Sequence, residues 1–187
     1  MLKKLLSIVS LFSAISTSYA ATLIVNGGIL EGASDVNVNG SLYDVYFMDG
    51  SCVSLYNGCD DQPDFLFTDN DSASAASAAL LEQVFIGIYD DDPELTRGCT
   101  YDTRCRVRTA YGLFLNDQVN AHAAVNSRLG AVLGDTFTNG VLDILEDTTT
   151  MDNRTMAVWS HSEVPAPAAA WLFGSALLGL AGMNRKK

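Results

Sequence analysis

Lysine is missing from the whole middle of this 187-residue chain: all four copies sit at its ends, at Lys3, Lys4, Lys186 and Lys187. Residues 21–163 hold six arginines and all 22 acidic residues, a formal charge of −16, against −11 for the full chain. So acidic a stretch argues against nucleic acid as a partner, because phosphate binding needs a basic face. Histidine is scarce as well, with only His122 and His161. Serines are plentiful, yet no Gly-x-Ser-x-Gly elbow is present, so no nucleophile and base support one another and no catalytic residue is assigned. Internal repeats are lacking, and no linker-like segment occurs before residue 164. The roughly 140 residues between the two ends suffice for one domain with a core of its own.

The lysines mark two apolar ends. At the front, Lys3 and Lys4 precede an apolar run, residues 5–15, that is short for a membrane span. Ser18 and Ala20 then place small residues at the −3 and −1 positions of a cleavage site before Ala21. Residues 1–20 therefore read as a signal peptide removed by signal peptidase, the alternative being a retained anchor. At the back, Pro165 and Pro167 hold an extended stretch, residues 168–183 carry no charge, and Arg185, Lys186 and Lys187 follow. As a helix this span is about 24 Å long, a little short of a bilayer core but extended by snorkelling cations. It is apolar all round, has Trp171 near one end and stops on cations, which is the pattern of a membrane helix rather than of a buried one.

Val164-Pro165-Ala166-Pro167, the apolar span through Gly182 and the basic tip together resemble the PEP-CTERM sorting tail in its VPxP variant, with Ala166 where the name-giving motif has Glu. The resemblance covers residues 164–187. It implies export in a Gram-negative bacterium, an inner-membrane intermediate, cutting near the proline motif by an exosortase, and delivery to the cell surface or extracellular matrix alongside exopolysaccharide. The basic stop sets it apart from a GPI signal, and a sortase box is absent. A permanent C-terminal anchor is the alternative. Residues 42–45 and the Asp49-Gly50-Ser51-Cys52 turn resemble uncharacterised ectodomains carried by such tails, which implies no activity.

Four cysteines, an even number in an exported chain, favour disulfides. The spacings of Cys52 to Cys59 and Cys99 to Cys105 are wider than those of zinc knuckles. Three connectivities are open, of which the two local pairs are expected. Free thiols are the other reading, since Arg104 and Arg106 flank Cys105 and would lower its pKa.

Residues 21–163 read as one α+β domain, strands first. Residues 22–25 and 36–38 are β-rich segments ended by Asn26-Gly27-Gly28 and Asn39-Gly40. A β-hairpin is expected to join residues 42–48 to 52–56 through Asp49-Gly50, with Tyr43, Val45 and Phe47 on one face and Asp44 and Tyr46 on the other. Asp71 or Ser72 is the expected cap of an alanine-rich helix that carries Leu80, Leu81, Val84 and Phe85 as its apolar stripe and ends near Gly87. Asp90-Asp91-Asp92-Pro93 is expected to break regular structure. Residues 106–115 suggest a strand, 117–129 a second helix, and 136–138, 141–145 and 155–160 late strands.

No cofactor is required by this reading, although calcium is conceivable. Asp69-Asn70-Asp71 begins like an EF-hand loop without its later Gly and Glu, and Asp90 and Asp92 form a second oxygen cluster. Asp60-Asp61, Asp90 to Asp92 and Glu146-Asp147 are the acid pairs a secreted polysaccharide hydrolase would need, but clustered acids usually form a solvated face. The expectation is a non-enzymatic surface or matrix protein. The alternatives are such a hydrolase or a calcium-dependent adhesive module.

Overall fold

The computed structural model describes residues 20–115, 117–128 and 134–163. The expected signal peptide, all but Ala20, and the expected sorting motif Val164 to Pro167, apolar span and basic stop Arg185, Lys186 and Lys187 lie outside the described residues. Among the described residues no helix is long and apolar enough to cross a membrane.

Among the described residues seven strands form one sheet: β1 (Thr22–Asn26), β2 (Ile29–Val38), β3 (Ser41–Met48), β4 (Arg104–Leu113), β5 (Gln118–Ser127), β6 (Thr136–Asp143) and β7 (Arg154–His161). Their order is β1-β2-β3-β7-β4-β5-β6, antiparallel throughout except for β4 beside β7. The fold is therefore α+β. The strands end where Asn26-Gly27-Gly28 and Asn39-Gly40 are expected to end them, and there Gly27 and Gly28, then Asn39 and Gly40, each place two consecutive residues at positive φ, the geometry of a two-residue hairpin. Two antiparallel blocks, β1 to β3 and β4 to β6, are joined when the last strand inserts between them.

The hairpin expected at Asp49-Gly50 does not form. β3 already has β2 on one side and β7 on the other, so residues 52–56 have no edge to join. They turn instead into a short helix, α1 (Cys52–Leu55), capped by Ser51. The facing expected for β3 holds, since Val45 and Phe47 are buried and Tyr46 is exposed.

The alanine-rich helix is present as α2 (Asn70–Ala79), continued by one π turn (Leu80–Val84). Its cap is Asp69, not Asp71 or Ser72: the Asp69 carboxylate accepts the N–H of Asp71 at 3.0 Å and of Ser72 at 2.9 Å. Small side chains at Ala73, Ala76 and Ala79 bring the helix down onto one face of the sheet, where Leu80, Val84 and Phe85 complete the core. Phe85 stacks on Phe47, and Trp159 packs against Tyr43 and Phe67 while its indole N–H donates to Thr109 Oγ1 at 3.0 Å. The acidic run is not irregular either: α3 (Ile88–Asp91) is one helical turn and Pro93–Leu95 another of 3-10 type.

The second helix expected over residues 117–129 does not form within the described residues 117–128. Their core is β5, buried almost from end to end between β4 and β6. Alanine has high helix propensity, but Ala121, Ala123 and Ala124 sit in a central strand because both its neighbours offer ladders and both its faces are covered.

The opposite face of the sheet is covered only in part. There α1 and the Cys52–Cys59 disulfide pack Tyr56 and Phe65 against Ala110, Ala121, Leu142 and Met156. The buried Tyr56 hydroxyl donates to the Ala157 carbonyl at 2.7 Å, and burial pushes its pKa far up. The second disulfide, Cys99–Cys105, stands on the helix-covered side. Both local pairings expected from the spacing are present, and neither pair leaves a free thiol.

Candidate anion-binding face

Alternation along β4 sends Cys105, Val107 and Thr109 to the helix-covered core and Arg104, Arg106 and Arg108 to the other side. On β7, Arg154 lies beside Arg106 in the parallel register. Four of the six arginines of the folded region thus share one sheet face, in a domain with an excess of sixteen negative charges. Consecutive arginines on β4 stand about 6.7 Å apart along the strand.

The neighbouring strands keep that face low. Val125 is opposite Arg106 and Ala123 opposite Arg108 on β5, and β6 adds Thr138 and Gly140. Arg106 and Arg108, with Ala121, Ala123, Thr138 and Gly140, line a depression of about 100 Å³. Ala123 and Val125 are buried on this face beside the arginines, and Ala121 joins the cluster under α1.

One carboxylate enters the cluster. Glu146, on the segment after β6, accepts from the guanidinium groups of both Arg108 and Arg154. Arg104 and Arg106 have no acidic partner within ion-pair distance among the described residues, and the Arg104 Nε–H is buried without an acceptor. Burial, followed by the charges of Arg104, Arg154 and Arg108, holds the Arg106 pKa below its usual value. Like charges gathered this way oppose folding, and an incoming anion relieves them. The guanidinium fork suits carboxylate, sulfate or phosphate oxygens, two at a time.

The calcium candidates do not come together. Asp69 is spent on the α2 cap, which lowers its pKa, and Asp71 sits in the first turn of the same helix. Asp92 lies 3.7 Å from Arg128 Nη2. Asp90 stands instead beside Asp135, and burial and then that neighbour raise its pKa. Among the described residues no three His, Cys, Asp or Glu side chains converge as a ligand set.

Of the acid pairs proposed for hydrolysis, Glu146-Asp147 is engaged by local structure. Glu146 is held by two arginines, and Asp147 accepts the Thr149 N–H at 2.9 Å. His122 is buried on β5 with Nε2 at 3.0 Å from Asn70 Oδ1, an oxygen that also takes the Asn139 amide at 3.1 Å. Because that oxygen only accepts, the proton of the neutral ring is on Nε2. Burial lowers the His122 pKa, the Asp71 charge opposing it. This residue pins the start of α2 to the sheet. A larger cleft, about 390 Å³ between Tyr56, Phe65, Phe67 and Trp159, has Asp64 at its rim. That carboxylate already accepts the N–H groups of Asp60 and Asp61 and the Asn57 amide.

Reasoning from sequence passed over the arginines, treating Arg104 and Arg106 only as neighbours of Cys105. The signal was present as Arg104-x-Arg106-x-Arg108, a period of two at the start of an expected strand. Arg154 and Glu146 join only through strand pairing. No protein-family model, no characterised protein and no solved structure matches the chain.

Proposed function

We propose that the chain is an exported surface or extracellular-matrix protein whose folded domain holds an acidic polysaccharide on its arginine face, delivered through a C-terminal exosortase-type signal. The observation that carries the binding role is the gathering of Arg104, Arg106, Arg108 and Arg154 on one face of an otherwise acidic domain. Repeated carboxylates or sulfates on a polymer match a row of guanidinium groups, and the small residues beside them leave room for a chain to lie flat. Long-range repulsion from the remaining acids keeps the interaction selective for polymers that reach the arginines. Two disulfides favour an oxidising compartment, in keeping with export. Calcium bridging and hydrolysis are outcomes to be distinguished from this reading.

Affinity electrophoresis through gels containing a polyuronate or a neutral glucan tests the reading. Mobility falls in the polyuronate gel alone, recovers with added salt, and Arg106→Ala weakens retention about tenfold, the loss of roughly one charge-assisted contact. Equal retention by the neutral glucan, or retention that Arg106→Ala leaves intact, overturns it. Release of new reducing ends would assign the hydrolase instead. The mass of the mature protein tests the sorting: loss of residues 1–20 and of the span after the proline motif supports processing at both ends, whereas a product that keeps Trp171 through Lys187 is a permanently anchored domain.

A further inference from the structure

The two edges of the sheet are built differently. β1 is five residues long and shifts register between Ile24 and Val25, a bulge that bends an edge away from further pairing. β6 is eight residues long, its pairing with β5 runs unbroken from Thr136 to Asp143, and among the described residues its outer backbone edge has no strand beside it. Residues 136–142 contain no charge and no proline, the usual guards of such an edge, in a domain of charge −16. Phe137 and Val141 are nonetheless 49% and 43% exposed.

We infer that β6 is a self-association edge that pairs antiparallel with β6 of a second copy about Asn139. Phe137 and Val141 lie two residues on either side of Asn139, so the two-fold register sets each Phe137 opposite the other copy's Val141 and Thr138 opposite Gly140. Both apolar residues point to the helix-covered side, since Phe137 pairs with the core residue Ala124 and Asn139 with His122. Cross-strand aromatic and β-branched pairs are the contacts that stabilise such a seam. The occupant is a second copy because the edge is self-complementary about Asn139: the two-fold register covers each exposed Phe137 with a Val141 and brings charges together only at its two ends. At each end Asp135 meets Asp143 of the other copy, and this like-charge pair keeps the seam weak at low salt. A single strand seam also falls in the small class of interfaces, under about 1,200 Å², so association depends on concentration. The two-fold axis stands normal to the sheet and puts both arginine faces on the same side of a fourteen-stranded surface. That last consequence, bivalent attachment to a polymer, rests on the proposed function; the pairing does not.

Sedimentation equilibrium of the full chain, exported to an oxidising compartment and purified, tests the pairing over a concentration series at low and high salt. A monomer–dimer equilibrium is expected that tightens with salt, opposite in sign to polysaccharide retention, so each reading fails separately. Val141→Lys and Phe137→Lys, both at exposed positions, shift it at least tenfold toward monomer with an unchanged melting temperature. Amide exchange of residues 136–142 slows at high concentration in the wild type alone. A monomer at every concentration and salt, or a dimer indifferent to both lysines, overturns the inference.

Discussion

The two faces of the sheet do different work. On the helix-covered face, α2 and its π turn seal a layer of fully buried residues, Val36, Val45, Leu80, Val84, Val107 and Ala124. On the other face a smaller cluster under α1 gives way to arginines that crowd one another and bury an unpaired N–H. Stability is concentrated on the first, and the second keeps an electrostatic conflict that folding alone does not require. The contrast is what makes the arginine face a candidate site, because local rules are broken where a ligand restores them.

The contrast breaks most sharply under core truncation. Leu80→Ala, at a side chain with no exposure, is expected to cost about 2–5 kcal/mol in chemical denaturation, whereas Arg106→Ala costs under about 0.5 kcal/mol or stabilises. Equal losses would erase the division between the faces. Next in size are the two disulfides, one on each face. Opening either loop by a paired Cys→Ala substitution should lower stability by about 2–3 kcal/mol in the chain-entropy account, measured by the same denaturation. A larger loss at Cys99–Cys105, which closes onto the deeper core, would sharpen the comparison.

Smaller effects probe how α2 is seated. Asp69→Ala removes two capping hydrogen bonds and should cost about 1 kcal/mol, with polysaccharide retention unchanged because the cap lies on the other face. The smallest effect is a pH dependence. The folded His122 pKa lies below the ordinary 6.5, so the unfolded chain binds the proton more readily. Its contribution is whole above pH 6.5 and is lost as pH falls from there toward the folded value. Melting temperature should therefore drop on mild acidification, and His122→Gln should flatten that part of the profile. An unaltered slope would assign the acid sensitivity to other groups.

Local chemistry was legible without the fold. Gly27-Gly28 and Asn39-Gly40 are turns because few residues other than glycine and asparagine accept consecutive positive φ angles, and cysteines six or seven residues apart pair because a short loop holds them close. The alanine-rich start of α2 and the alternation in β3 belong to the same class. By contrast, Asp49-Gly50 has the composition of a hairpin turn and is none, and the alanines of β5 have the propensity of a helix and form a central strand.

What composition and spacing determined is thus the α+β class, the disulfide pairs, the turns and the charge imbalance, all of which depend on residues close along the chain. Tertiary structure alone decided that β7, the last strand, occupies the middle of the sheet, which denied β3 a new partner and set Arg154 beside Arg106. Those outcomes turn on which strands remain unpaired after the others have formed. That competition for hydrogen-bonding edges runs between residues about fifty or more apart, and no local preference encodes it.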